Sequence, residues 1–347
     1  MQKSSFAMLL AASLLAGASA ATAAPAYHLA ETIPLGGDVK WDYLYRDPSS
    51  GHLFISHGSE LTVVDPKAGE VIGHVAGLQG SHGIAIDPET GLGYADSAKT
   101  QTVSVFNVKS LQVAKELPAL EDADGMVYDP ASRQVFIAGG DANAVLPIDA
   151  AKNQAGKLIP LGGAPEFLVV DAEGDLFVNI KDRNQIVRID TKTDTVTARW
   201  TLPGCDGPTG LAIDPVSQRL FSSCENAKMA VVDARNGEVV ALLPIGKGSD
   251  AARFDAGRKL VFSSNRDGSL SMIRELGADH FIVMPPLQTA PGARTMEIDP
   301  VSGDVFLVTA DVLSILPPPA PNKPPRYSFK PGTAKLLVYQ PASMGAP

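Results

Sequence analysis

Short apolar segments alternate with polar turns along most of the chain, and one version of this pattern recurs seven times. Each copy has an apolar stretch, an Asp followed by Pro or Ala, a polar turn and a second short apolar stretch. The turn residues of the seven copies are Asp47, Asp87, Asp129, Asp171, Asp214, Asp255 and Asp299. Their spacings of 40, 42, 42, 43, 41 and 44 residues indicate one repeated structural unit. We assign these Asp residues to turn capping.

Two further apolar segments complete each copy. The third is seen in LTVVDP (61–66) and MAVVDA (229–234), and the fourth in KLIPLGG (157–163) and VALLPIG (240–246). Four short strands in a period of about 40–45 residues are typical of a β-propeller blade. The sequence therefore predicts an all-β, seven-bladed β-propeller with four antiparallel strands per blade and very little helix.

The two ends of the repeated region predict how the ring closes. HLAETIPLGG (28–37) copies the fourth segment, and LLVYQ (336–340) copies the third. We therefore expect residues 25–347 to form a single domain whose N-terminal strand completes the last blade, which leaves no long unpaired sheet edge.

A proline-rich segment, residues 316–332, interrupts the seventh unit between its second and third apolar segments. It contains seven prolines, and proline lacks the N–H that a sheet ladder needs. We predict a stiff surface loop here, with a functional lid as the alternative.

The first 24 residues have the pattern of a secretory signal peptide. Lys3 is their single charge, an apolar run follows at residues 6–15, and small residues fill positions 18–24. This order predicts cleavage between Ala20 and Ala24 and a periplasmic or secreted protein. Because the apolar run is shorter than the roughly 20 residues that a bilayer needs, we expect no membrane span in the mature chain.

Composition narrows the classes of partner. The 347-residue chain is 45% hydrophobic and 19% charged, which fits a globular protein with a substantial core. Its formal net charge is −9, and its Lys and Arg residues are scattered, so we expect no nucleic-acid partner. The sequence has no zinc-protease, α/β-hydrolase or phosphate-loop motif. A small molecule or a periplasmic protein remains as the expected partner.

The chain has two cysteines, Cys205 and Cys224. In an exported protein an even count favours a disulfide. Cys205 precedes the fifth inner strand and Cys224 ends the next strand, so an antiparallel hairpin would bring them to one level. Two inert thiols are the alternative.

Candidate functional residues lie at the start of the inner strand of each blade. They are the residues five positions before each turn Asp, namely Asp42, His82, Asp124, Glu166, Thr209, Asp250 and Arg294. All seven are polar, and a propeller brings equivalent strand ends to one channel mouth. We predict that they form a ligand-binding rim, because ligand sites favour openings where polar groups converge. The alternative is a solvated mouth in which Arg294 pairs with Asp42.

Loops after the second strands add polar groups to the same face, including Lys181, Asn179 and Asn265. The cofactor is unknown from sequence, but carboxylate and amide oxygens are the ligands that a hard cation such as Ca²⁺, Mg²⁺ or Mn²⁺ accepts. The predicted ligands of such an ion are Asp124, Glu166, Asn179 and Asp250. His82 and Glu166 are then the candidate catalytic residues, with His82 as a general base. Structural roles for a single His and for turn Asn residues are the alternative.

The seven repeats, the signal pattern and the segments WDYL (41–44), HGIAID (82–87), PEF (165–167), SSNRDG (263–268) and ARTMEIDP (293–300) resemble the YncE-like, YVTN-repeat family of periplasmic seven-bladed propellers. The resemblance covers nearly the whole mature chain and implies a binding or scaffold role. The repeats here are variants of the family tetrapeptide, such as LTVVD (61–65).

A wider resemblance is to lactonases of the gluconolactonase type and to streptogramin-lyase-like propellers. It implies a divalent cation or a catalytic His at the channel mouth, by analogy of fold. Two functions therefore stay open. One is binding of a small molecule or protein partner at the mouth, and the other is metal-dependent lactone hydrolysis or elimination at the same place.

Overall fold

A computed structural model describes residues 27–171, 173–320 and 323–342. The predicted signal peptide, residues 1–24, lies outside them. In the described residues seven antiparallel sheets form successive blades, and an eighth sheet of two strands is inserted in the last blade. The seven blades confirm the predicted all-β, seven-bladed propeller. Within the described residues the helical content is one 3₁₀ turn at Lys181–Arg183. No helix in this part of the chain has the length and hydropathy needed to cross a bilayer.

The strands of each blade run from the channel outward. Blade 1 comprises Trp41–Arg46, Leu53–His57, Glu60–Asp65 and Glu70–Ala76. Blade 2 comprises Ile84–Asp87, Leu92–Ser97, Thr102–Asn107 and Val113–Pro118. Blade 3 comprises Ala123–Asp129, Gln134–Gly139, Ala144–Asp149 and an outer strand in two pieces, Gln154–Ala155 and Ile159–Pro160.

The other blades have the same order. Blade 4 comprises Pro165–Val170, Asp175–Ile180, Gln185–Asp190 and Thr195–Thr201. Blade 5 comprises Pro208–Asp214, Arg219–Cys224, Lys228–Asp233 and Val239–Pro244. Blade 6 comprises Ser249–Asp255, Leu260–Asn265, Ser269–Gly277, and the outer pieces His280–Val283 and Leu287–Gln288. Blade 7 comprises Met296–Ile298, Val305–Thr309, Lys335–Pro341 and Tyr27–Pro34.

The N-terminal strand closes the ring, as predicted. Tyr27–Pro34 pairs antiparallel with Lys335–Pro341, with Tyr27 opposite Pro341 and Pro34 opposite Lys335. The seven inner strands contact one another in a closed circle, and the inner strands of blades 7 and 1 are among the contacting pairs. The outer edge of the last blade is thus supplied by the beginning of the fold.

The hydrophobic core is divided into seven clusters, one between each pair of neighbouring blades. The second strand of each blade contributes one aromatic ring that is at most 1% exposed. These residues are Phe54, Tyr94, Phe136, Phe177, Phe221, Phe262 and Phe306. Fully burying a Phe side chain contributes about 1.5–3 kcal/mol. These rings join the blades into one ring-shaped core and hold the inner strand ends at fixed positions.

The turn Asp residues have the predicted capping role. The carboxylates of six of them accept a hydrogen bond from the backbone N–H two residues ahead: Asp47, Asp87, Asp129, Asp171, Asp214 and Asp299. Asp255 accepts from the N–H of Arg258 at 2.9 Å. These Asx turns reverse the chain at the end of the inner strand opposite to the rim.

The proline-rich segment differs from the expected loop. It does lie between the second and third strands of blade 7, but Arg326–Phe329 forms a strand that pairs antiparallel with Val312–Leu316. This stretch contains no proline, and its Tyr and Phe favour strand. We call the two strands and the described part of their connection, residues 312–320 and 323–329, the proline-rich hairpin.

Candidate functional site

Six of the seven predicted rim residues gather at one channel mouth. Asp42, His82, Asp124, Glu166, Asp250 and Arg294 line a single cavity of about 230 Å³, together with Lys181 and Arg266. They come from six different blades. The seventh residue, Thr209, is 1% exposed and is turned into the joint between blades 5 and 6.

A β-bulge sits at the rim position in most blades. The strand register shifts between Trp41 and Leu44, and equivalent shifts occur around Asp124, Glu166, Thr209 and Asp250. A bulge inserts one unpaired residue and redirects its side chain. At four of these five blades the bulge presents a carboxylate to the channel.

Hydrogen bonds between neighbouring blades fix the backbone at the rim. At five of the joints a hydroxyl or amide donates to a backbone carbonyl at the start of an inner strand. The pairs are Ser56 to His82 (2.7 Å), Asn179 to Thr209 (2.7 Å), Thr209 to Ser249 (2.9 Å), Ser264 to Arg294 (2.5 Å) and Thr295 to Asp42 (2.8 Å). The charged side chains therefore project from a backbone that is already held in place.

Arg294 and Asp42 organise one side of the mouth. Arg294 Nε donates to Asp250 Oδ2 at 2.5 Å, and Arg294 Nη2 lies 3.5 Å from Asp42 Oδ1. His82 Nδ1 donates to Asp42 Oδ2 at 2.7 Å. The expected pairing of Arg294 with Asp42 is therefore present, within a network that also includes His82 and Asp250.

This network shifts the pKa values of its members. The hydrogen bond to Asp42 raises the pKa of His82 to about 9, against the opposing effect of burial. Burial would raise the pKa of Asp42, but the Arg294 charge and the His82 hydrogen bond outweigh it and lower that pKa. At neutral pH the mouth holds an imidazolium bound to a carboxylate.

Glu166 and Lys181 form a second pair on the opposite part of the rim. Lys181 begins the 3₁₀ turn after the second strand of blade 4, and its Nζ donates to Glu166 Oε1 at 2.7 Å. Burial raises the pKa of Glu166, although the charge of Lys181 opposes that effect. Because Lys181 satisfies the carboxylate, Glu166 is held as an ion pair.

Asp124 lies between these two systems without a partner of its own. In the described part of the chain its carboxylate forms no ion pair within 4.0 Å and no side-chain hydrogen bond. Burial, with the nearby charges of Asp42 and Glu166, raises its pKa well above the ordinary range. Asp124 is half-buried. A carboxyl that is partly removed from water without an ion pair is unfavourable for stability, and groups with perturbed pKa values concentrate at functional sites.

Asp96 departs from the pattern of the blade joints. It is the penultimate residue of its second strand, the position that holds Ser56, Asn179 and Ser264 in three other blades. Its Oδ1 accepts the backbone N–H groups of His82 and Gly83, each at 2.7 Å. Its Oδ2 is buried and has no hydrogen-bond partner among the described residues. Burial raises the pKa of Asp96 to about 7.

The predicted cation ligands are not brought together as one set. The amide of Asn179 donates to the carbonyls of Thr209 and Gly210 in the blade joint. Asp250 is bound by Arg294, and Glu166 by Lys181. The acids and imidazole that do converge are Asp42, His82 and Asp124, whose ligand atoms lie within 4.8 Å of one another.

Asn265 is also placed away from the cavity. It is fully buried, and its amide donates to Ser269 and Ser271 of the next strand in blade 6. The last residue of a second strand points into its own blade here, so it joins two strands rather than facing the channel.

The proline-rich hairpin lies over the mouth, which is the position that the alternative of a functional lid requires. Phe329 packs on Trp41 of blade 1 with ring centroids 5.0 Å apart, and Lys323 forms an ion pair with Glu225 of blade 5. In the sequence, the signal for this packing was the presence of two aromatic residues, Tyr327 and Phe329, between the prolines of this segment. The hairpin roofs a larger cavity of about 820 Å³ that shares Asp42, His82 and Arg294 with the rim.

The disulfide is confirmed. Cys205 and Cys224 are joined with a Cα–Cα distance of 5.4 Å, and Cys224 lies opposite Pro208 at the start of the fifth inner strand. The crosslink closes blade 5 beside Glu225, the residue that binds Lys323. It therefore braces the rim at the one blade that contributes no side chain to the smaller cavity.

Comparisons with known proteins bear on the fold. No protein-family model and no curated protein matches the chain. Similar solved structures include Kuenenia stuttgartiensis hydrazine synthase, with TM-score 0.69, 16% identity and coverage of 78% of this chain and 92% of that chain.

Two others are U3-55K, with TM-score 0.74, 8% identity and coverage of 90% and 98%, and the RRP9 WD40 repeats, with TM-score 0.74, 9% identity and coverage of 91% and 100%. At these identities the similarity shows a shared β-propeller fold, and a fold of this kind hosts many functions.

Proposed function

We propose that this chain is an exported, YncE-like β-propeller that binds a small molecule at the mouth of its central channel. The observation that carries the proposal is the convergence of charged side chains from six blades on one cavity, with Asp124 unpaired among them. In a mouth whose charged groups had only structural roles, each carboxylate would be expected to have an ion-pair partner. Asp124 has none among the described residues, which favours a role in binding.

Several features support a small molecule over a protein partner. The charged groups lie in a recess, and the proline-rich hairpin covers part of the opening. Recessed cavities with a few fixed polar groups are the usual form of small-molecule sites. The inter-blade hydrogen bonds keep the rim in place before a ligand arrives, which reduces the entropy that binding costs.

The family and the compartment are part of the proposal. The seven repeats and the resemblance of residues 41–44, 82–87 and 293–300 support the YncE-like assignment. The signal pattern of residues 1–24 and the Cys205–Cys224 disulfide support export, because disulfides persist in oxidising compartments.

A thermal-shift screen tests the binding function. Anionic, cationic, zwitterionic and uncharged metabolites would be added to the mature protein, to Glu166→Gln and to Glu238→Gln, a matched control at an exposed turn. A compound present at 100 times its Kd stabilises the folded state by about 2.7 kcal/mol. We expect at least one class to raise the Tm of the wild type and of Glu238→Gln by several degrees, with a smaller effect on Glu166→Gln.

The second candidate is metal-assisted lactone hydrolysis or elimination. The cluster of Asp42, His82 and Asp124 favours it, since two carboxylates and an imidazole within 4.8 Å can hold a divalent cation. His82 would first have to give up its proton, which Asp42 holds in place. Elemental analysis of the purified protein, repeated on Asp124→Asn, discriminates the two functions. A stoichiometric metal lost in the variant would favour the enzyme.

A further inference from the structure

The cavity under the proline-rich hairpin has a composition different from that of the smaller rim cavity. We call this 820 Å³ space the vestibule; blades 1, 2, 6 and 7 form its floor, and Tyr327 and Phe329 of the hairpin form its roof. Its volume is within the range of about 300–1,000 Å³ found for small-molecule sites.

The vestibule is cationic in an acidic protein. Five basic side chains line it: Lys40, His82, Lys99, Arg266 and Arg294. The lining carboxylates are Asp38 and Asp42, whereas the whole chain has a formal net charge of −9. His82 counts as a cation because its pKa is about 9.

Part of this positive charge is not neutralised by the protein. Arg294 is committed to Asp250 and Asp42. Lys40 and Lys99 form no ion pair in the described ranges, and Arg266 reaches Asp250 at 3.5 Å through one nitrogen while 42% of its side chain stays exposed. A planar guanidinium with free N–H groups suits a carboxylate or a phosphate.

The remaining wall is aromatic. Trp41, Tyr327 and Phe329 line the vestibule, and the Phe329 ring lies 5.0 Å from Trp41 and 6.3 Å from Tyr327, measured between centroids. Trp41 is 5% exposed, yet its indole Nε1 has no hydrogen-bond partner among the described residues. Leaving a buried N–H unsatisfied is unfavourable, so the indole is held beside the vestibule by packing rather than by a hydrogen bond of its N–H.

We propose that the vestibule binds a small organic anion with a flat apolar body, its negative group on Arg266 and Lys99 and its ring against Trp41, Tyr327 and Phe329. This inference rests on the proposed function, because it names the ligand class for the same channel mouth. The basic side chains select a ligand with negative charge, and the aromatic wall selects a ligand with a flat shape.

Isothermal titration calorimetry with three probes tests the inference. The probes are 2-naphthoate, with ring and negative charge, 2-naphthylmethylammonium, with the same ring and a positive charge, and inorganic phosphate, with charge alone. We expect 2-naphthoate to bind the mature protein at least tenfold more tightly than either of the others. Arg266→Gln and Lys99→Gln should each weaken its binding about tenfold. The matched control Lys109→Gln, at an exposed turn of blade 2, should leave it unchanged.

A second measurement reports on Trp41 independently of these variants. The chain contains two tryptophans, Trp41 and Trp200, so Trp200→Phe assigns both indole N–H signals in an NMR spectrum. We expect 2-naphthoate to move the Trp41 signal and to leave the Trp200 signal in place. Circular dichroism confirms that each variant is folded.

The outcomes separate this inference from the proposed function. Equal binding of 2-naphthoate and its ammonium analogue, or unchanged affinity in both Arg266→Gln and Lys99→Gln, would overturn the anion assignment. Tight phosphate binding without the ring would overturn the role of the aromatic wall. If none of the probes binds while the metabolite screen yields a cationic or uncharged ligand lost in Glu166→Gln, the inference is wrong and the proposed function stands. If neither experiment yields a ligand, both are wrong.

Discussion

Asp42 links the two charged groups that dominate one side of the mouth. One carboxylate oxygen binds the His82 ring, and the other lies near the Arg294 guanidinium. Asp42 is 15% exposed on its side chain, so these interactions act in a medium less polar than water and are stronger for it. Neutralising this carboxylate changes the charge state of His82 and leaves Arg294 with Asp250.

The titration of His82 follows from this arrangement. We expect a pKa of about 9 in the folded protein, compared with 6.5 for an ordinary His. Because the folded pKa is the higher one, the pair stabilises the fold fully below pH 6.5, and that stabilisation is lost as the pH rises through about 9. An NMR titration of the ring protons measures it.

Asp42→Asn should lower the pKa of His82 to 6.5 or below, because burial remains while the acceptor charge is gone. Asp141→Asn, at an exposed turn, serves as the control and should not change it. A wild-type His82 that titrates near 6.5 would contradict the ion pair.

The pKa of Asp96 is raised as well, so the free energy of unfolding depends on the ionisation of Asp96 in the same direction as on that of His82, in a lower pH range. The pKa of Asp96 rises from 3.8 to about 7 because of burial. Between these pH values the folded chain keeps a proton that the unfolded chain has lost, so the free energy of unfolding falls as the pH rises and stays lower above pH 7. Asp96→Asn keeps an oxygen for the N–H groups of His82 and Gly83 and removes the charge. We expect it to stabilise the protein by roughly 1–3 kcal/mol at pH 8 and to have little effect at pH 4.

Urea unfolding of the wild type and Asp96→Asn at both pH values checks this result, with Asp141→Asn as the matched surface change. A variant that is less stable than the wild type at pH 8 would show that the carboxylate itself is needed in that joint.

At the scale of elements, the second strand of each blade carries the packing. Its buried aromatic ring lies between two sheets, as Phe221 does when it packs on Phe254 at 5.7 Å and on Phe281 at 6.0 Å between centroids. Phe221 is fully buried, whereas Phe281 on the outer strand is half-buried. The two positions therefore separate the effect of burial from that of residue type.

We expect Phe221→Ala to lower the free energy of unfolding by about 3–5 kcal/mol, because it removes a large buried ring and leaves a cavity between blades 5 and 6. Phe281→Ala should cost about 1 kcal/mol. Urea denaturation followed by circular dichroism measures both. If the two variants lose the same free energy of unfolding, the fully buried ring contributes no more than the half-buried ring to the packing between blades 5 and 6.

The elements of the fold could be predicted because the residues that specify the strands and turns recur in every repeat. The apolar alternation, the turn Asp and the 40–44-residue spacing determine strand number, blade number and ring closure. The start of each inner strand was located for the same reason, which is why Asp42, His82 and Asp124 are found together.

The orientation of individual side chains was harder to predict. A shift of one residue turns a strand side chain to the opposite face of the sheet. The bulges that cause such shifts here are not indicated by any recognisable sequence pattern. Thr209, Asn179 and Asn265 occupy strand ends like the rim residues but point into blade joints or into their own sheet. The position of the proline-rich hairpin depends on long-range contacts, such as Phe329 with Trp41, which no local pattern encodes.

At the scale of the whole molecule, stability depends on a closed ring. The seven clusters each require two blades, and the cluster between blades 7 and 1 includes Ile33 from the N-terminal strand and Trp41 from the vestibule. Without the N-terminal strand, Lys335–Pro341 would expose its backbone N–H and C=O groups along one edge. Unpaired edges of this kind promote aggregation.

We therefore expect a mature chain that lacks residues 27–34 to unfold at a lower temperature and to form aggregates, as measured by circular dichroism and size-exclusion chromatography. A synthetic peptide of residues 27–34, added in excess, should restore the monomer, whereas the same peptide with Ile33→Asp should not. A truncated chain that stays monomeric with an unchanged melting temperature would show that the outer strand is dispensable.

The pairing of Tyr27 with Pro341 has a practical consequence for handling the protein. The first and last strands of the described fold lie side by side at the outer edge of blade 7, whereas the channel runs through the centre of the ring. A tether attached to either end would hold the protein by the outer edge of blade 7, away from the centre of the ring, so that the tether itself does not block the channel mouth. A short linker joining the two ends would likewise allow new termini to be cut in a turn between any two blades.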